Sequence, residues 1–359
     1  MHYGVFTTRI LAHNGHSRAK AIRYRAMTIS LAHAVTPSEG SSRRPVVGRL
    51  APTPSGRMHL GNAFSALLAW ASARSQGGKV ILRIEDLDPR AQDPENARML
   101  VDDLRWLGID WDEGPLYQSN RTDIYLQAIG ELEHQGLTYP CFCTRSELHA
   151  ATAPHASDGT YLYPGTCRGL SPDEVAKRSI TRRPATRLMV PAEDDPKGIV
   201  GFEDLGYGAH EECLAQECGD FLIRRSDGVI AYQLAVVVDD CQMGVTEVVR
   251  GRDLLPSSAR QIYLARLLGM TPPHYGHVPL LVAPDGRRLS KRDHDLSLQT
   301  LRDKSVSPRA VVGLLASYIG LAEGGEKIDS AEFERRFSWD AIRSHREDIQ
   351  ADASVLLPR

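Results

Sequence analysis

Apolar positions along this chain fall into blocks that switch between the two regular periods, and the switching predicts strands and helices in turn. Pro45-Val46-Val47-Gly48 is a short β-branched run that predicts a strand. Ala63-Phe64-Ser65-Ala66-Leu67-Leu68-Ala69-Trp70-Ala71 is dense in helix formers and predicts a helix. Lys79-Val80-Ile81-Leu82-Arg83-Ile84 predicts the next strand by its β-branched alternation. A helix from Pro94 to about Leu107 follows, with Ala97, Leu100, Val101, Leu104 and Leu107 at helical spacing. Ile124 to Gln135 predicts another. Strands and helices in this order imply an α/β fold with a parallel sheet.

The pattern breaks between Tyr139 and about Arg225. Short alternating strands around Thr186–Val190 and turn formers at Asp158-Gly159 and Pro164-Gly165 imply an inserted α+β module there. Ala231–Val238 resumes apolar, β-branched character and predicts a strand ending in Asp239-Asp240. Glu247–Gly251 and His277–Val282 predict further strands, and Ser257–Leu268 a helix with Ile262, Leu264, Ala265 and Leu268 on one face. The remainder is mostly helical, with Arg309–Ile319 its clearest element. The resulting division is a basic extension over 1–44, an α/β domain in two halves (45–136 and 226–285), an inserted module over 137–225, and a basic loop with a short helical part over 286–359.

Composition adds limits. With 359 residues, 42% hydrophobic and 25% charged, the chain can build about two cores. A formal net charge of −2 means that any nucleic acid is held by a local patch. No apolar stretch approaches the roughly 20 residues of a membrane helix. Six cysteines, at 141, 143, 167, 213, 218 and 241, with no secretory signal, imply a reducing compartment and a cytoplasmic protein. Residues 1–44 carry one acid, Glu39, against seven Lys and Arg. A disordered arm, a targeting peptide, or an upstream start with Met27 or a later codon as the true one all fit this tail; a disordered or artefactual extension is expected, with no catalytic role.

The candidate chemistry gathers on the stretch Arg49-Leu50-Ala51-Pro52-Thr53-Pro54-Ser55-Gly56-Arg57-Met58-His59-Leu60-Gly61-Asn62. It is a strand-to-helix turn, which aims helix N-terminal amides at one point and attracts phosphate there. Gly61 leaves the backbone open to close approach. Glu85-Asp86-Leu87-Asp88 sits past a strand's C-terminal end, where open α/β sheets bind ligands. Arg288-Leu289-Ser290-Lys291-Arg292 puts three cations and a hydroxyl on a loop after the turn Ala283-Pro284-Asp285-Gly286. Cys141-Phe142-Cys143 and Cys167 offer three thiolates of the four ligands a structural zinc takes, with Cys213, Cys218 or His155 as the fourth from the residues alone. Asp239, Asp240, Asp86 and Asp88 are expected to cap strand ends.

Together, Pro52–Asn62 and Arg288–Arg292 resemble the "HIGH" and "KMSKS" motifs of class I aminoacyl-tRNA synthetases. Arg49–Gly56, Arg83-Ile84-Glu85-Asp86-Leu87-Asp88, Tyr232–Asp240 and Val249-Arg250-Gly251-Arg252-Asp253-Leu254 resemble glutamyl-tRNA synthetase catalytic domains, in order, from Val46 to Leu301. Asn62 stands where the first motif has a second histidine. Arg288 and Arg292 stand where the second has Lys and Ser. Arg292 lies near the end of the chain, where tRNA-Glu-charging enzymes carry large helical anticodon-binding domains. The resemblance is therefore to the truncated paralogue family, the glutamyl-queuosine tRNA(Asp) synthetases, with a Rossmann-type sheet and no anticodon-binding domain.

The resemblance implies ATP, with Mg2+, and L-glutamate as substrates, tRNA-Asp as acceptor through its queuosine-containing anticodon loop, and a monomer. His59 and Lys291 are implied as catalytic, and His59, Gly61, Asn62 and Lys291 as ATP-binding. Arg49 and Arg250 would meet carboxylate, Glu85 the ammonium, with Tyr232 closing the pocket and Leu50, Ala51, Pro52 and Thr53 on the same turn. The implied structural zinc ligands are Cys141, Cys143, Tyr163 and Cys167. A glutamyl-tRNA synthetase core charging tRNA-Glu, and a non-catalytic RNA-binding paralogue, are the alternatives.

Overall fold

The computed structural model describes residues 45–144, 147, 162–283, 285–287, 289 and 297–356. Strand β1 (Val47–Leu50), helix α1 (Leu60–Arg74), strand β2 (Lys79–Ile84), helix α2 (Pro94–Trp106), strand β3 (Glu113–Tyr117) and helix α3 (Thr122–His134) follow one another. β2 pairs in parallel with β1 and with β3, as the alternating pattern predicts. Then come β4 (Thr138–Cys141), β5 (Ala185–Leu188), β6 (Ile199–Asp204), β7 (Gly208–Cys213), β8 (Phe221–Arg224), β9 (Glu247–Gly251) and β10 (His274–Val278). β4, β5 and β8 form a small antiparallel sheet. The β6–β7 hairpin instead joins the parallel strands, giving the order β7-β6-β10-β9.

Thr246 stitches the two parallel groups together. Its amide donates to the Val47 carbonyl at 2.9 Å, and its hydroxyl accepts from the Val47 amide at 2.8 Å. β1 and β9 thus lie side by side at the point where strand order reverses, and open α/β sheets leave a crevice beyond the strands' C-terminal ends at such a point.

Both faces of the sheet are covered. Val80, Leu82 and Ile84 of β2 pack with α1, α2 and the C-terminal helices, while Ile81 joins α3 and the helices Tyr232–Gln242 and Ser258–Leu267. Leu60, Phe64, Leu67 and Leu68 of α1 are wholly buried, each contributing about 1.5–3 kcal/mol. Among the described residues no helix is long and apolar enough to cross a membrane.

Two expectations need correction. Ala231–Val238 is not a strand: Tyr232–Gln242 is a helix, buried from Leu234 to Asp240. It is wedged between α3, β8 and the helix Ser258–Leu267, so Leu234–Val238 is an unbroken apolar run and the middle of the helix shows no polar face to reveal its period. Asp239 and Asp240 therefore lie in its last turn rather than at a strand end. His277–Val282 is not one strand: Pro279 separates β10 from the short strand Leu281–Val282, which pairs with Ile349–Gln350.

Candidate active site

A cavity of about 600 Å³ opens at the C-terminal ends of β1 and β9. Arg49, Leu50, Ala51, Pro52 and Thr53 line it from the turn after β1. His59, Gly61 and Asn62 line it from the start of α1, Glu85 from the end of β2, and Tyr232 and Arg250 from the far side. Lys291, with Arg288, Ser290 and Arg292, lies outside the described residues; Leu289 between them lines the same cavity.

The turn is held at several places. The Glu85 amide donates to the Pro52 carbonyl at 3.0 Å, tying the turn to the end of β2. His59 is the N-cap of α1: its Nδ1 accepts from the Asn62 amide at 3.3 Å, which puts the ring proton on Nε2. A Cβ on Gly61 would sit 3.1 Å from the His59 ring, so this glycine makes room for the imidazole itself. Asp103, wholly buried on α2, accepts from the Met58 amide at 3.0 Å, from Arg57 at 2.8 Å and from Arg302 at 3.0 Å. Arg302 belongs to the helix Leu298–Asp303, whose Leu298 amide donates to the Met58 carbonyl at 2.9 Å. The segment that follows the second basic motif is thereby strapped to the first.

Beneath the cavity lies a buried charge network. Arg83 is wholly buried; its Nη1 donates to Asp240 at 2.6 Å and its Nη2 to Glu85 at 3.1 Å, with Asp239 3.6 Å from Nε. Asp239 also accepts from Gln118, Arg121 and Tyr125. Arg49 donates from Nη1 to the Val249 carbonyl at 2.9 Å, across the seam between β1 and β9. Its Nε is buried without a hydrogen-bond partner, 3.7 Å from Asp240. Burial holds the Glu85 carboxyl above the ordinary carboxylate range, and the neighbouring Arg83 offsets only part of that rise. Asp86 and Asp88 serve structure: Asp86 accepts from Ser119, and Asp88 caps a short 3-10 turn while pairing with Arg90 and Arg225.

Arg250 differs. Its partners are the His277 ring, the Gln261 side chain, the Leu254 carbonyl and the Ser258 hydroxyl, and the guanidinium lies 5.1 Å from the Tyr275 ring centroid. Among the described residues no carboxylate pairs with it, although it is 95% buried, so its positive charge is left for whatever enters the cavity.

A family model described as "tRNA synthetases class I (E and Q), catalytic domain" matches residues 45–352, nearly the whole described chain. The chain belongs to the class I tRNA synthetases. It is 46% identical to a glutamyl-Q tRNA(Asp) synthetase of Symbiobacterium thermophilum, over 86% of this chain and 97% of that one. It is 39% identical to glutamate–tRNA ligase 1 of Halorhodospira halophila, covering 86% of this chain and 68% of that one. A crystal structure of a glutamate tRNA ligase from Elizabethkingia meningosepticum in complex with its amino acid superposes with a TM-score of 0.72 at 25% identity, over 87% of this chain and 68% of that one.

Three of the synthetase's cysteines gather at one place. Cys141, Cys143 and Cys167 bring their sulfurs within 4.8 Å of one another. The Tyr163 hydroxyl stands 3.5 Å from both Cys141 and Cys143 and accepts from the Cys167 amide at 2.8 Å. Cys143 and Cys167 sulfurs are 3.6 Å apart, close to the roughly 3.8 Å that a tetrahedron with 2.3 Å zinc–sulfur bonds requires. Arg187 donates to Cys141 at 3.2 Å and lies 3.7 Å from the Tyr163 ring centroid, a cation placed to offset thiolate charge. Cys218 bonds the Leu214 carbonyl in another core, Cys213 ends β7, and His155 lies outside the described residues.

Sequence reasoning missed Arg83, Asp103, Asp204 and His277. A signal existed for Arg83: a lone cation in a strand whose neighbours are apolar on both faces must find buried acids. Asp204 and His277 carried no signal, since they are 73 residues apart and meet only through the parallel pairing of β6 and β10.

Proposed function

We propose that this synthetase activates L-glutamate with ATP as glutamyl-adenylate and transfers glutamate to the queuosine base at the wobble position of tRNA-Asp. The observation that carries this reading is the convergence of two buried guanidiniums, Arg49 and Arg250, with the Glu85 carboxylate and the Tyr232 ring on one cavity. Two cations and one anion complement a dicarboxylate bearing an ammonium. The choice of RNA is supported by the relative from Symbiobacterium thermophilum, matched over 97% of its length, against 68% of the Halorhodospira ligase.

In this reading the glutamate carboxylate attacks the α-phosphorus and pyrophosphate leaves. The nucleophile is already ionised, so the protein's task is to hold two anions in line and stabilise phosphoryl charge. His59, with its Nε2 proton, and the first turn of α1 with Gly61 and Asn62 serve the phosphates, and Lys291 the departing pyrophosphate. A queuosine hydroxyl then attacks the adenylate carbonyl, forming the ester and releasing AMP. Labelled glutamate is expected to transfer to bulk tRNA from wild-type cells, and not to tRNA from queuosine-deficient cells or to periodate-treated tRNA-Asp. Equal transfer to queuosine-deficient tRNA would instead identify an enzyme charging tRNA-Glu.

Cys141, Cys143, Tyr163 and Cys167 are proposed to hold a zinc ion, which would brace a segment with only a small core of its own. One zinc per chain is expected to survive dialysis, and its removal by a chelator to lower the melting temperature by several degrees. A folded, metal-free preparation with unchanged melting would remove the claim.

A further inference from the structure

Arg250 presents five N–H groups, and four are already committed. Nε donates to His277 Nε2 at 3.0 Å, Nη1 to Gln261 Oε1 at 2.8 Å, and Nη2 to the Leu254 carbonyl at 3.1 Å and Ser258 Oγ at 3.0 Å. A guanidinium normally meets a carboxylate with two parallel N–H bonds. Here one Nη1 N–H and the charge remain, so the aim of the whole group is set by its neutral partners.

The bond to His277 constrains chemistry as well as direction. Nε–H can donate only to an imidazole nitrogen that carries no proton. His277 is wholly buried on β10, and its Nδ1 lies 2.6 Å from Asp204 Oδ2. Asp204 itself has no freedom: its Oδ1 accepts from the amides of Gly206 at 3.0 Å, Tyr207 at 2.9 Å and His277 at 3.1 Å. Only Oδ2 is left for the ring, so the ring's proton belongs on Nδ1 and Nε2 is an acceptor. Gly206 keeps this turn against β10, since a Cβ there would fall 2.2 Å from the His277 carbonyl oxygen.

We propose that Asp204 and His277 form a positioning relay that fixes the His277 tautomer and, through it, aims Arg250 at the glutamate carboxylate. The proposal rests on the reading of Arg250 given under Proposed function. Neither Asp204 nor His277 touches the cavity, so both act through Arg250.

The decisive variant is Asp204→Asn. The three backbone amides hold its carbonyl oxygen, which turns the side-chain NH2 toward His277. Nδ1 must then accept, the proton moves to Nε2, and it confronts the Arg250 Nε–H. In glutamate-dependent ATP–pyrophosphate exchange, the KM for glutamate is expected to rise about tenfold to a hundredfold, the effect of a lost buried hydrogen bond to a charged group. The KM for ATP should stay within about twofold, because Arg250 does not serve the phosphates. His277→Gln, whose amide can accept from Arg250 and donate to Asp204, is expected to keep the glutamate KM near the wild-type value, whereas His277→Met raises it. Should Asp204→Asn fail to fold, the Gln and Met variants decide. Equal glutamate KM values in those two, an unchanged KM in Asp204→Asn, or a matching rise in the KM for ATP would overturn the relay. If the wild-type enzyme shows no glutamate-dependent exchange, it is the functional reading, not the relay, that fails.

Discussion

Replacing Arg83 by methionine is expected to cost about 3–5 kcal/mol of stability, the penalty for breaking a buried ion pair from one side. The residue is wholly enclosed and holds Asp240 at 2.6 Å and Glu85 at 3.1 Å, with Asp239 at 3.6 Å. Without it, three acids share Arg49 and Arg121 as their nearest cations. Set against a typical total of about 5–15 kcal/mol, the loss brings the domain close to unfolding at ordinary temperature. Urea denaturation measures it as a drop in midpoint at unchanged slope. Adding Asp240→Asn to the Arg83 variant should recover part of the loss, because one orphaned charge disappears. A midpoint within experimental error of wild type would show that the network contributes nothing to the fold.

Arg49→Lys is expected to lower kcat/KM for glutamate in pyrophosphate exchange by about a hundredfold to a thousandfold, corresponding to about 3–4 kcal/mol for a desolvated charged contact. Arg49 spends Nη1 on the Val249 carbonyl, and no partner among the described residues takes Nη2. Lysine keeps the charge but has no planar fork to reach both the β9 carbonyl and a ligand. Of the two cavity arginines, Arg49 thus has the more open donor set and Arg250 the more committed one. Exchange within twofold of wild type would rule out a role for Arg49 in binding the amino acid.

The difference between these two arginines illustrates what was legible in the sequence. The turn from Arg49 to Asn62, the strand Lys79–Ile84, α2 and α3 could all be read, because their periods are local and their breakers sit at the ends. The residues that line the cavity are legible as well, since each sits in a contiguous motif at a strand end or helix start. What escaped was everything decided by long-range packing. Ala231–Val238 predicts a strand because three consecutive valines favour strands, and burial of Leu234–Asp240 in the helix erases the contrast that marks helical periodicity. Asp239 and Asp240 looked like strand caps for the same reason. His277 and Asp204 gave no hint of each other, because parallel pairing joins segments distant in the chain.

The join at Thr246 has a thermodynamic corollary. Between β1 and β9 one threonine at the strands' N-terminal ends, and the Arg49–Val249 contact on the cavity wall, stand in for a regular ladder. A ligand that engages Arg49 from one half and Arg250 from the other would act as a rivet across that joint. Substrate occupancy and the cohesion of the domain then become linked equilibria, each strengthening the other.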